Sequence, residues 1–188
     1  MYTEKEREAV FNNLVLRKAK RTDLYSIWHN VWEDETIANN MLWESTKRLE
    51  DAVLRLERTI KYQAKNYAYF VCLKESDEAI GFAGVYEKEP GVFEESGLCI
   101  SKEHQGKGYA KEVVEVLKRL VFKKLKASRF IYGCFSTNER SRRVCLDLGF
   151  KYLNSKNITR DWDNKEFLVD NYYFDKEMYE ELGEILWK

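Results

Sequence analysis

At 188 residues, with 44% hydrophobic and 14% aromatic side chains, the chain has the apolar material for a substantial core and reads as a single domain over residues 1–188. Lysine plus arginine and aspartate plus glutamate both number 32, so there is no basic bias toward nucleic acid and no acidic tail. No apolar run approaches the ~20 residues of a transmembrane helix; the charged start Met1-Tyr2-Thr3-Glu4-Lys5-Glu6-Arg7-Glu8 lacks the apolar centre of a signal peptide, so the expectation is a soluble cytoplasmic protein with no membrane partner.

Asn13 to Arg17 reads as a first strand. Thr22 or Asp23 then caps a helix through Leu24, Ile27, Trp28 and Val31, in which Trp28 and Trp32 are core residues one turn apart. Ser45 starts a second helix, with apolar positions at Leu49, Ala52, Val53, Leu56 and Ile60. Tyr67 to Leu73 and Ala79 to Tyr86 form a hairpin around Glu75-Ser76-Asp77-Glu78, and Phe93 to Ile100 is the next strand. A long helix begins near Tyr109 and turns Val113, Val114, Leu117, Leu120, Val121 and Leu125 inward. Arg129 to Phe135 is a strand, Asn138 to Leu148 a helix, Phe150 to Leu153 and Phe167 to Phe174 strands, and Lys176 to Trp187 a last helix. Several strands followed by alternating helices and strands predict an α/β (α+β) domain with a mixed sheet.

The cysteines are Cys72, Cys99, Cys134 and Cys145, with no Cys-x-x-Cys pair, and they read as buried free thiols. The only histidines are His29 and His104, with no His-Glu-x-x-His, so no catalytic metal is expected. Lys118, Arg119, Lys123, Lys124 and Lys126 oppose a strong apolar stripe, which makes them a solvated helix face and not a specific nucleic-acid site.

The most informative run is Gln105-Gly106-Lys107-Gly108-Tyr109-Ala110, between the strand ending at Ile100 and the long helix. Glycines at a strand-to-helix junction leave backbone N–H groups unpaired at a helix N-terminus, where the helix dipole also favours negative charge. A pyrophosphate-bearing ligand suits such a turn; a plain connection is the competing reading. The run is not a Walker A loop. It is not the dinucleotide pattern either, because Lys111 stands where a third glycine would be. A second motif, Asn138 to Phe150, reads as an N-capped helix closed by Gly149.

Together the two motifs resemble the GNAT superfamily of acyl-CoA-dependent N-acetyltransferases. Gln105-x-x-Gly108-x-Ala110 matches its Gln/Arg-x-x-Gly-x-Gly/Ala signature, and Asn138 with Leu148-Gly149-Phe150 matches its asparagine helix. The distance between them suits a helix, a strand and a turn. Asn138-x-x-Ser141 and Arg160 with Asp170-Asn171-Tyr172 resemble the ribosomal-protein N-terminal acetyltransferase branch; the resemblance covers roughly residues 13 to 180. It implies the GNAT-like acyl-CoA N-acyltransferase fold: a central, mixed, mostly antiparallel sheet flanked by helices, with two neighbouring parallel strands splayed at the acyl-CoA cleft. The implied activity is transfer of an acetyl group from acetyl-CoA to a primary amine by direct attack on the thioester.

Carried onto this chain, the resemblance puts the pyrophosphate on the backbone of Gln105, Gly106, Lys107, Gly108, Tyr109 and Ala110, with charge from Lys107 and Lys111. It puts pantetheine against Leu98, Cys99 and Ile100 and on Asn138. Asn138 is also an N-cap, and the two roles are compatible. Glu95 is the candidate general base, acting through water; Glu94 lies on the opposite strand face. Many members place a tyrosine seven residues after the helix asparagine to protonate the leaving thiolate. This chain has Cys145 there, so Ser141 is the candidate acid, or a hydrogen-bond partner of pantetheine. Arg142 and Arg143 either touch cofactor phosphate or line an exposed face.

The resemblance implies that the segment Trp32 to Glu44 shapes the acceptor pocket, and its acidic and aromatic residues suit a cationic amine or a peptide N-terminus. The acceptor remains open between a protein N-terminus and a small amine, and the oligomeric state between monomer and homodimer. The alternative is a non-catalytic acyl-CoA-binding or regulatory module that keeps the fold without the chemistry.

Overall fold

The computed structural model describes residues 2–3 and 8–186, with side chains from residue 12 to residue 181. Two compact units emerge: Met1–Val85 with Ser96–Val116, and Tyr86–Glu95 with Leu117–Lys188.

In the first unit, β1 (Tyr2–Thr3), β2 (Glu8–Phe11) and β3 (Leu14–Arg17) form an antiparallel series, the first two of which the sequence did not predict. β3 continues antiparallel onto β4 (Tyr67–Leu73), and β4 onto β5 (Ala79–Glu89) with a register shift at Val71/Cys72. The hairpin turn is where the sequence puts it, and Asp77 takes a left-handed φ of 58° there. The last strand of this unit is the second half of β6 (Val92–Ile100).

Three helical segments differ from expectation. Asp23 does not cap α1 (Leu24–Ile27) with its side chain. Its carboxylate accepts two hydrogen bonds from the buried Arg17 guanidinium, at 2.7 and 2.8 Å, and one from the Lys20 amide at 2.7 Å. A buried arginine demands such a partner, and satisfying it uses up the group read as a cap. After α1 the chain widens into a π-helical turn, Trp28–Trp32, then forms a short α2 (Glu35–Ala38) capped by Asp34. The next helix, α3 (Leu49–Lys65), starts four residues later than Ser45. Ala52 and Leu56 of α3 are buried, whereas Leu49 and Val53 stand 37% and 41% exposed, so the apolar stripe is narrower than the sequence suggests. The core of this unit packs Ile27, Val31 and Trp32 against Leu56, Phe70 and Cys72, with Trp28 partly buried at its margin.

The helix α4 (Tyr109–Arg119) begins in the first unit and ends in the second, passing into a π-helical turn, Leu120–Lys124. Val113, Val114, Leu117, Leu120 and Val121 are buried as their spacing requires. In the second unit the start of β6 pairs in parallel with β7 (Arg129–Phe135) over Val92↔Arg129, Phe93↔Phe130 and Glu94↔Ile131. After α5 (Glu139–Asp147) come β8 (Lys151–Thr159) and β9 (Glu166–Asp175), with β9 antiparallel to both β7 and β8. β8 is longer than expected, because its mostly exposed, polar residues give no core signal; backbone pairing with β9 holds it. α6 (Lys176–Leu186) follows; Trp187, assigned to it from sequence, lies outside the described residues. Phe130, Phe150 and Phe174 pack with centroid separations of 5.6 and 5.3 Å at the centre of this unit. Of the ladders given above, only β6–β7 is parallel, and the fold is the mixed, mostly antiparallel α/β arrangement that the sequence predicts.

Candidate functional site

In the first unit the strand Leu98-Cys99-Ile100 leads through Ser101 and a 3-10 turn, Lys102–His104, into the glycine loop. The turn is pinned: the Ser101 hydroxyl lies 2.7 Å from His104 Nδ1, and Gln105 Nε2 donates to the Ile100 carbonyl at 3.0 Å. The His104 ring stacks on Tyr109 with centroids 6.4 Å apart. Gly106 and Gly108 have φ of 78° and 82°, and a Cβ at either would meet nothing within 4 Å. Backbone conformation, not crowding, therefore calls for glycine at both.

The loop's electrostatic character follows from its unmade bonds. The amides of Gly106, Lys107, Gly108, Tyr109 and Ala110 donate to no acceptor among the described residues, while those of Lys111 and Glu112 return to the Gly108 carbonyl. Five successive donors at the head of an eleven-residue helix make an anion cradle. Lys107 and Lys111 are exposed beside it.

Leu98 is half-buried, whereas Cys99 and Ile100 are buried. Gly81 of β5 lies so close to the Cys99 carbonyl that no side chain fits between them. Burial pushes all four thiols up, Cys72 to about 12 and Cys134 to about 11, and Cys99 and Cys145 further. Each stays a protonated, buried, unlinked thiol near neutral pH, which argues against an acyl-cysteine intermediate.

In the second unit Asn138 is the N-cap of α5. Its Oδ1 accepts from the Ser141 amide at 3.1 Å, and its Nδ2 has no partner among the described residues. α5 closes with Phe150 N–H donating to the Cys145 carbonyl at 3.0 Å and Gly149 N–H to the Leu146 carbonyl at 3.1 Å, with Gly149 at φ 80°. This double bond pattern around a left-handed glycine is the Schellman C-cap that Leu148-Gly149-Phe150 predicts.

The Ser141 hydroxyl lies 3.0 Å from the phenol oxygen of Tyr132 on β7. Glu95 sits one position beyond the last β6–β7 pair, and burial and its negative charge both push the Tyr132 phenol well above its ordinary value. The same charge acts on Cys134 and Cys145. The second unit therefore groups Glu95, Tyr132, Ser141 and Asn138. Tyr132 was missed from sequence, although period-two alternation puts it on the face of Phe130 and Cys134. Glu94 is engaged elsewhere: Lys88 donates to it at 2.7 Å and Lys156 at 3.5 Å. Burial pushes its carboxyl up, but these lysines outweigh that and hold it below the usual range. Arg160, 2% exposed, clasps Asp163 at 2.6 and 2.9 Å beside Trp162 and Phe167.

A cavity of about 180 Å³ opens in the first unit, lined among others by Trp32, Trp43, Arg55, Phe82, Ser96 and Gly97. Trp32 and Trp43 belong to the segment Trp32 to Glu44 named from sequence, and both line this cavity. The acidic side chains between them do not line it. Glu33 faces His29, Asp34 caps α2 and Glu35 pairs with Lys47. Arg55 of α3 also lines it, a residue that the sequence analysis did not single out. No group of three or more metal-ligating side chains occurs among the described residues, and no helix there is long and apolar enough to cross a membrane.

Comparison with known proteins bears on the family and the fold. The family model for the acetyltransferase (GNAT) domain matches residues 13–151. An uncharacterised N-acetyltransferase, p20, of Bacillus licheniformis is 25% identical over 179 residues, covering 93% of each chain. The solved GNAT-family acetyltransferase of Bacillus anthracis superposes with a TM-score of 0.78 at 20% identity, covering 90% of this chain and 99% of the other. A candidate ribosomal-protein-serine acetyltransferase of Vibrio cholerae gives 0.73 at 18% identity, covering 91% and 98%. With its cradle, capped asparagine helix and fold, and with the family model spanning most of its length, the chain belongs to the GNAT acetyltransferase family.

Proposed function

We propose that the protein transfers the acetyl group of acetyl-CoA to the nitrogen of a primary amine by direct attack. The observation that carries this reading is the run of five partnerless amides from Gly106 to Ala110, which suits the pyrophosphate of the cofactor. Family membership supplies the acyl donor. In this reading Gln105 to Lys111 hold the phosphates, the backbone of Leu98 to Ile100 runs along pantetheine, and the Asn138 Nδ2 donates to the pantetheine arm.

When the neutral amine attacks the thioester carbonyl carbon, a C–N bond forms and the C–S bond breaks. Glu95 removes the proton from the acceptor ammonium through water. The departing thiolate takes a proton from the Ser141 hydroxyl, which the Tyr132 phenol orients, and the proton released by the newly acylated nitrogen returns through water to the serine oxygen. No covalent enzyme intermediate is needed, consistent with the four protonated thiols.

The test is release of free CoA from acetyl-CoA against a panel of amines: peptides with free N-termini, polyamines, amino acids and aminoglycosides. Amine-dependent release is the expected result. Tight acetyl-CoA binding without release by any amine would mark a binding module, and no binding would remove the cradle's assignment.

A further inference from the structure

The central carbon of the Arg55 guanidinium lies over two indoles, 4.2 Å from the Trp43 ring centroid and 4.8 Å from that of Trp32. Such cation–π contacts hold the charge against the rings and leave its N–H groups to hydrogen-bond. One nitrogen, Nη1, donates to the Thr46 hydroxyl at 2.8 Å and to the Glu44 carbonyl at 3.4 Å. Nε and Nη2 donate to nothing among the described residues, and no carboxylate lies within ion-pair range. The other arginines of this unit with ion pairs, Arg17, Arg21 and Arg48, each have a carboxylate.

A second donor in the same wall is unsatisfied. The Nε1–H of Trp43 is buried and has no acceptor. A buried donor left unmade and a cation without a counter-charge are both unfavourable, and an anionic group on the free edge of Arg55 relieves the second. Burial also draws the Arg55 guanidinium down to about 10, the direction expected of a charge short of a partner.

The cavity has room for a small group beside Arg55. About 150 Å³ holds a benzene ring, so about 180 Å³ has room for a group of that size, with the rest of the molecule extending through the open side. Trp32, Trp43, Phe70 and Phe82 give it apolar walls, and Ser96-Gly97 lie just ahead of the strand assigned to pantetheine.

We infer that the acceptor is a small primary amine carrying an anionic oxygen group, a carboxylate or phosphate, that docks on Arg55. An amino-acid-like acceptor fits this chemistry, and polycationic amines do not. The inference rests on the acetyl-transfer reading for the word acceptor, but not for the anion site.

The experiment compares an aromatic amino acid, its amide and the matched aminophosphonate in two assays on the intact protein. One is CoA release, and the other is quenching of tryptophan fluorescence without acetyl-CoA, in which the part lost on Trp43→Phe reports on the cavity. An anionic acceptor should be preferred over the amide by about ten- to hundredfold in kcat/KM, the range of a charge-assisted hydrogen bond. The acid and the phosphonate arms tell carboxylate from phosphate. Arg55→Met should abolish the preference, and Arg55→Lys should keep part of it. Saturable quenching by the anion, with no CoA release from any amine, would uphold the anion site and refute acetyl transfer. CoA release with the amide used as well as the acid, and no anion-specific quenching, would overturn this inference and leave acetyl transfer standing.

Discussion

The phenol oxygen of Tyr132 and the hydroxyl of Ser141 lie 3.0 Å apart, joining the middle of β7 to the first turn of α5. Removing the serine hydroxyl removes the proposed proton donor to the thiolate. Ser141→Ala should lower kcat by about 10²-fold, a typical share for general acid catalysis. Tyr132→Phe should cost about tenfold, since it loses only the orienting bond. The double variant should be no worse than Ser141→Ala, because the two act as one unit. Steady-state kinetics of the three variants checks this, and additive losses would place Tyr132 in a separate role.

Two glycines should fail in different ways. Gly108 is open around its Cβ position but held at φ 82°, so Gly108→Ala should cost about 1–2 kcal/mol in stability and raise the KM for acetyl-CoA. At Gly81 the added methyl would strike the Cys99 carbonyl, forcing the backbone of β5 or β6 to move. Gly81→Ala should cost about 1–3 kcal/mol and distort the strand assigned to pantetheine. Denaturant unfolding and acetyl-CoA titration separate the two cases.

Glu94 gives a pH signature of folding. Its carboxyl is held below its ordinary value in the folded state, so its contribution to stability is present above the unfolded value, near 4.5. It is lost as pH falls through the folded value. Wild type should therefore be more stable than Glu94→Gln at pH 7, and the difference should shrink below about pH 4.5. Thermal melts across pH 3–7 are the check.

The four thiols should be silent in the native protein. All are buried, and burial pushes each up, Cys134 least, to about 11. A thiol reagent at pH 8 should label the chain only after denaturation, when all four react. The same silence makes thiol release a clean readout of CoA.

The parts of the site that sequence exposed are those written in local backbone chemistry. Gly106 and Gly108 announce a left-handed turn, and Asn138 with Gly149 announce both ends of α5; all four behave accordingly. The parts it hid depend on residues far apart in the chain. Arg55 looks like any polar helix position until the Trp32 and Trp43 rings are seen against it. Tyr132 reads as one aromatic in an apolar strand until Ser141 is seen against it. Asp23 had the right type for a cap, but a buried Arg17 claimed it. β8 was cut short because its exposed polar residues carry no burial pattern, only a partner strand. Local signals of conformation survive in sequence, whereas pairings across the fold do not.

The central claim is direct movement of an acetyl group from CoA to an amine nitrogen, and isotope tracing tests it most directly. The protein would be incubated with acetyl-CoA labelled in the acetyl group and with an amine chosen by the CoA-release panel. The products, and the protein itself, would then be weighed by mass spectrometry. The account predicts label on the amine nitrogen in step with CoA released, and none on the protein. Label retained on a cysteine, or found only in acetate, would contradict it.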